Sequence, residues 1–172
     1  AKLSLGDVFS TLTTPLSESK SGEEYRALLL ILKDIMANHK IKKYFSSTES
    51  RIIVAEIDKL DSNLANKLKK HADIFGSLGY GMVGPGWDQE YFIDILSSLI
   101  RQNINPDKAL LEAEKNRLMM EKKQREFEKK LAIDTDHLGI FNFARDLVFT
   151  KGLRKDAMFY AIASMESFFK EV

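Results

Sequence analysis

Residues that end helices are scarce in this chain and crowded into one place. Of its nine glycines and three prolines, Gly76, Gly79, Gly81, Gly84, Pro85 and Gly86 fall in a single stretch, Gly76-Ser77-Leu78-Gly79-Tyr80-Gly81-Met82-Val83-Gly84-Pro85-Gly86-Trp87. Proline removes a backbone donor, and glycine costs about 1 kcal/mol in a helix interior. A chain that confines them this way is free to run as long helices on either side of the break.

The apolar residues recur at the spacing that such helices need. Residues 1–20, with Leu3, Leu5, Val8 and Phe9 ahead of a Thr/Ser/Pro-rich stretch, read as an irregular lead-in. Ser21 and Glu24 fit a capping box, and Tyr25, Leu28, Leu29, Leu32, Ile35 and Met36 follow at helical period. Ser47 or Thr48 is placed to cap a second helix through Ile52, Ile53, Ile57 and Leu60. The run Arg51-Ile52-Ile53-Val54 is rich in strand formers, but Glu56, Asp58 and Lys59 share one side of a 3.6-residue period, which favours a helix. Asp61 or Ser62 restarts a helix through Leu64, Leu68 and Ala72 to Phe75.

Beyond the Gly-rich inter-helix loop 76–87, Asp88 caps a helix faced by Tyr91, Phe92, Ile95, Leu96, Leu99 and Ile100. Asn105-Pro106 is a cap followed by a first-turn proline, opening a long charged helix to about Leu131. Asp134-Thr135-Asp136 precedes a final pair. Leu138, Phe141, Ala144, Arg145 and Val148 mark one face; Leu153, Ala157, Tyr160, Ala161, Ser164 and Phe168 mark the next. Gly152 either breaks the two or rides inside one continuous helix. The expected fold class is therefore all-α, an irregular multi-helix bundle of about six or seven helices in a single helical domain over residues 1–172. Ala1 in place of a methionine, and an end at Val172 inside an amphipathic run, read as a fragment of a longer multidomain chain.

Composition narrows the function classes. Twenty-six Lys and Arg against twenty-five Asp and Glu leave a net charge of +1, without the concentrated basic charge that phosphate binding needs, so no nucleic-acid partner is expected. The absence of cysteine removes disulfides, thiolate metal sites and a cysteine nucleophile, and fits a cytoplasmic location. The longest apolar run, Ala27 to Leu32, is too short to cross a bilayer, so no membrane partner is expected either.

The motifs that mimic chemistry sit in the wrong contexts. Gly79-x-Gly81-x-x-Gly84 matches the dinucleotide fingerprint as a string. That fingerprint needs a strand before it and a helix opening after it, whereas here a helix precedes it and Pro85-Gly86-Trp87 follows. It reads instead as a tight turn in which glycines supply positive φ and close approach. Tyr80 and Trp87 beside it either plug the gap between helices or anchor a neighbouring domain. His39, His71 and His137 lack metal spacing. Asp134, Asp136 and His137 suggest a metal cluster less well than a polar helix start capped by Asp136. In the charged helix, Glu121 with Arg125 and Glu126 with Lys130 are i,i+4 pairs. Arg145, Arg154 and Lys155 lie in otherwise apolar helices, either snorkelling or pairing with Asp146 and Asp156, or reaching a phosphate or a partner domain. No catalytic, cofactor-binding or metal residue is assigned; the candidate interdomain contacts are Tyr80, Trp87, Arg145 and Arg154.

Three segments together resemble a known family. His71-Ala72-Asp73-Ile74-Phe75-Gly76-Ser77-Leu78-Gly79-Tyr80, followed by Gly84-Pro85-Gly86-Trp87 and Tyr91-Phe92, is one. Phe141-x-Phe143-Ala144-Arg145-Asp146-Leu147 with Leu153-Arg154-Lys155-Asp156 is the second, and Thr13-Thr14-Pro15-Leu16-Ser17 the third. In this order they are similar to the helical intermediate region of phosphoenolpyruvate synthase and pyruvate phosphate dikinase-like phosphotransferases. The resemblance implies a parent that passes a phosphoryl group from ATP, with Mg, to a histidine and on to an acceptor (a pyruvate, water dikinase-like activity). Its partners would be an ATP-grasp domain and a swivelling phosphohistidine domain. The contexts Asn38-His39-Lys40, Lys70-His71-Ala72 and Asp136-His137-Leu138 depart from the family's Thr-Ser-His-Ala-like phosphohistidine site, so no catalytic role carries over. The resemblance implies a non-catalytic helical linker or scaffold; a free-standing helical protein-protein interaction module is the alternative.

Overall fold

A computed structural model describes residues 4–81 and 85–171. Among these residues the chain forms eight α-helices, one 3-10 turn and no strand, in agreement with the all-α expectation. Packing groups the chain into two compact units. Unit 1 holds Ala1–Ser19 and Leu111–Arg154, and unit 2 holds Lys20–Leu110 and Lys155–Val172.

Unit 2 contains the large core. Its helices are α2 (Lys20–Ala37), α3 (His39–Ser47), α4 (Ser50–Leu60), α5 (Ser62–Phe75) and α6 (Gln89–Arg101), with the 3-10 turn Gly76–Gly81 after α5. Leu29, Leu32, Ile35, Phe45, Ile53, Leu68, Phe92 and Leu96 are wholly buried together. Asp61 and Asp88 cap α5 and α6 as expected, accepting from Leu64 N at 3.0 Å and Tyr91 N at 2.9 Å.

Two expectations fail here and one helix was not among those expected, each for a local reason. Helix α3 went unread because its start signal is Asn38, whose side chain accepts from Lys40 N and Ile41 N. Neither Ser47 nor Thr48 caps α4; Glu49 takes that position without a side-chain hydrogen bond. The Ser21–Glu24 capping box does not form, because α2 opens at Lys20 and the Glu24 carboxylate turns to the buried His71, 3.1 Å away. His71 lies between the rings of Phe75 and Phe92 and is a core residue.

Unit 1 is built from α1 (Leu5–Thr13) and from parts of α7 (Pro106–Lys130) and α8 (Thr135–Glu171). The irregular lead-in expected over residues 1–20 is thus corrected. Ser4 caps α1 by accepting from Asp7 N at 3.1 Å, and Leu5, Val8, Phe9 and Leu12 lie on its one apolar side. Asn105 accepts from Lys108 N at 3.0 Å and Pro106 begins α7, as read. The final helix pair is one helix, α8. Gly152 sits inside it with nothing within 4 Å of a built Cβ, so the break that glycine permits is not taken. Among the described residues, no helix is long and apolar enough to cross a membrane.

Candidate functional site

The described part of the glycine-rich segment packs around Trp87. Trp87 N donates to Gly76 O at 2.8 Å. A Cβ on Gly76 would lie 2.3 Å from Trp87 O, and one on Gly79 would lie 2.7 Å from both Trp87 N and Cδ1. A Cβ on Gly86 would meet the Tyr80 ring at 2.8 Å. These glycines are therefore explained by close approach of backbone and ring. Positive φ, the other role expected of them, does not occur at Gly76, Gly79 or Gly86. Gly84 of the fingerprint string lies outside the described residues. The indole stacks on Tyr91 at 4.7 Å and 11° and meets Phe92 edge-on at 6.0 Å. Burial and the nearby Glu24 charge hold the Tyr91 phenol above its ordinary pKa. Tyr80 and Trp87 are half-buried, and both line a cleft with Tyr160 and Ser164.

Arg145 proves to be an internal clamp of unit 1. Its Nε donates to Leu12 O at 2.7 Å, one terminal nitrogen to Asn142 at 2.9 Å, and the other to Glu128 at 2.8 Å. Gln124, only 1% exposed, donates through Nε2 to Thr11 O at 2.8 Å and Thr14 O at 2.7 Å. Together these side chains donate to carbonyls at the end of α1, where the last turn leaves acceptor capacity that the helix itself does not fill. Arg154, by contrast, is exposed. Sequence reading placed Arg145 among surface candidates because nothing local distinguishes a clamp from a free cation. It did not single out Gln124 at all, since an amide in a charged helix is normally solvated.

At the start of α8 the cap is Asp134, not Asp136. Its Oδ1 accepts from His137 N at 2.9 Å, and its two oxygens lie 2.7 and 2.8 Å from His137 Nδ1. The backbone N–H of His137, then its ring, hold the Asp134 carboxyl below the usual range. No group of three or more His, Asp or Glu placed to hold a metal ion occurs among the described residues.

Helix α8 carries a row of apolar residues that face outward. Ile140, Phe143 and Leu147 are 63%, 63% and 53% exposed. At about 100° per residue they share one outward face with the exposed Lys151 and Arg154, opposite the side on which Leu138, Phe141 and Arg145 turn inward. In the unit 2 part of the helix, Met158, Ile162, Met165 and Phe169 are likewise exposed. Val148, Leu153, Tyr160 and Phe168, expected to pack, are exposed too, whereas Phe159 is buried. The signal was legible: apolar residues lie on more than one face of α8, the pattern of a helix covered from more than one side.

In the remaining charged helix Glu121 pairs with Arg125 as read, while Glu126 faces Lys122 at 3.8 Å. No protein-family model, curated protein or solved structure matches this chain.

Proposed function

We propose that this chain is a non-catalytic helical scaffold of a phosphoenolpyruvate synthase-like phosphotransferase, holding an ATP-grasp and a phosphohistidine domain at workable separation in the cytoplasm. ATP and Mg would be used by the parent's other domains, and the activity would be that of a pyruvate, water dikinase-like enzyme. The observation that supports this reading is the outward apolar face of α8. Contiguous apolar surface on a folded helix marks a surface that something else covers, and Ile140, Phe143 and Leu147 form such a strip beside Lys151 and Arg154. The three sequence segments given above supply the family. Arg145 would serve by locking α1 to α8, and Tyr80 and Trp87 by stiffening the turn before α6.

The same face suits a free-standing interaction module, and one experiment separates the two. The coding sequence on both sides of this segment should encode an ATP-grasp region upstream and a phosphohistidine motif downstream. Finding neither refutes the scaffold reading. If both are present, Phe143→Glu with Leu147→Glu in the full protein should lower turnover of ATP-dependent phosphoryl transfer at least tenfold without changing its helix content. Unchanged turnover would show that the face does not hold the domains.

A further inference from the structure

Unit 1 contains a cleft of about 390 Å³ walled largely by hydrocarbon, among it Leu5, Phe9, Leu12, Leu131 and Phe141. Its polar lining residues are Asp134 and His137. A concave apolar wall with a few convergent polar groups is the general form of a small-molecule site, and this volume is at the scale of a small ligand. We propose that the cleft binds a small molecule with an apolar aryl or alkyl body and a positively charged, hydrogen-bond-donating head, an arylalkylammonium being the best match.

The head follows from the donor and acceptor inventory of the polar corner. Asp134 accepts from both the backbone N–H and the Nδ1 side of His137, and those bonds favour its ionised form. An ionised carboxylate can only accept, so Nδ1 carries the hydrogen, and the lone pairs of Asp134 beyond these bonds are left to accept from a ligand. The corner thus presents the Asp134 carboxylate, an acceptor that carries a negative charge. An ammonium supplies donors and the opposite charge, an alcohol supplies a donor alone, and a carboxylate supplies neither. Phe9 and Phe141 in the wall add aromatic faces, which attract cations. Burial of the apolar body provides the affinity common to all three, in proportion to the area removed from water.

The test uses the 172-residue chain and three probes sharing one phenylethyl body: 2-phenylethylammonium, 2-phenylethanol and 3-phenylpropanoate. Titrations are followed by amide and histidine-ring NMR shifts. Saturable shifts at Val8, Ala132 and His137 are expected, with affinity falling from ammonium to alcohol to carboxylate by about three- to tenfold per step, the worth of one modest polar contact. Asp134→Asn retains a capping side chain and should bring ammonium and carboxylate to within about twofold. Val8→Trp should fill the cleft and abolish saturable binding while circular dichroism confirms the fold. Three results would overturn the proposal: carboxylate binding as tightly as ammonium, shifts centred away from the cleft, or a folded Val8→Trp protein that binds like the parent. Absence of saturation at millimolar ammonium would do so equally.

Discussion

Replacing Gln124 should loosen α1 in an order set by chemistry rather than by size. The residue is 1% exposed, and both of its neighbours at 2.8 and 2.7 Å are carbonyl oxygens of Thr11 and Thr14. The amide must therefore turn its NH₂ toward them, which leaves Oε1 buried without a hydrogen-bond partner. Gln124→Met keeps the volume and loses two bonds worth about 0.5–1.5 kcal/mol each, but removes the unsatisfied Oε1 and recovers about 1 kcal/mol, for a net cost of about 1 kcal/mol. Gln124→Ala adds a void and should cost about 2 kcal/mol. Gln124→Glu sets a buried acceptor against two acceptors and should cost about 3–5 kcal/mol, as broken buried polar pairs do. Urea unfolding by circular dichroism gives the free energies, and amide exchange at α1 shows whether the loss is local. Equal costs for Met, Ala and Glu, or a Glu variant within 0.5 kcal/mol of the parent, would refute the clamp.

Other consequences are as direct. Gly79→Ala drives a Cβ to 2.7 Å from Trp87 N and should destabilise by about 1–3 kcal/mol; a shift in the emission of Trp87, the chain's one tryptophan, would report the displaced ring, and unchanged emission with unchanged stability would refute the close-approach account. Asn38→Ala removes the cap of α3 and should cost about 1 kcal/mol, measured by thermal unfolding; Asn38→Asp should cost far less. The Tyr44 hydroxyl donates to Glu56, and that bond, then burial, then the Glu56 charge raise the phenol above its ordinary value of 10.0. A raised folded pKa means that this contribution is fully present below the unfolded value and is lost as pH rises through the folded one. Absorbance at 295 nm should show Tyr44 and Tyr91 titrating late, and Glu56→Gln should return the Tyr44 component alone toward the ordinary range.

Much of this molecule was written in local signals that need no partner to act. The helical period, the Asp61 and Asp88 caps, and the Asn105-Pro106 start of α7 all depend on residues within a turn of one another. So does the helix that runs up to Gly76, where the dinucleotide fingerprint would need a strand. Each was legible because helix start, continuation and end are decided at short range. Short helices were less legible. In α1 and α3 the start rests on a single side chain, Ser4 or Asn38, with little periodic repeat behind it.

Tertiary structure decided everything that depends on which side of a helix meets another. It turned Arg145 and Gln124 from surface polar residues into a clamp across 133 and 113 positions of sequence, and took Glu24 from a capping box to His71, 47 positions away. It let Gly152 pass inside α8, because a glycine permits a break but only competing packing enforces one. It also left Ile140, Phe143 and Leu147 outside. Periodicity alone reveals that a helix face is apolar; whether this chain's own atoms cover that face depends on how many helices reach it.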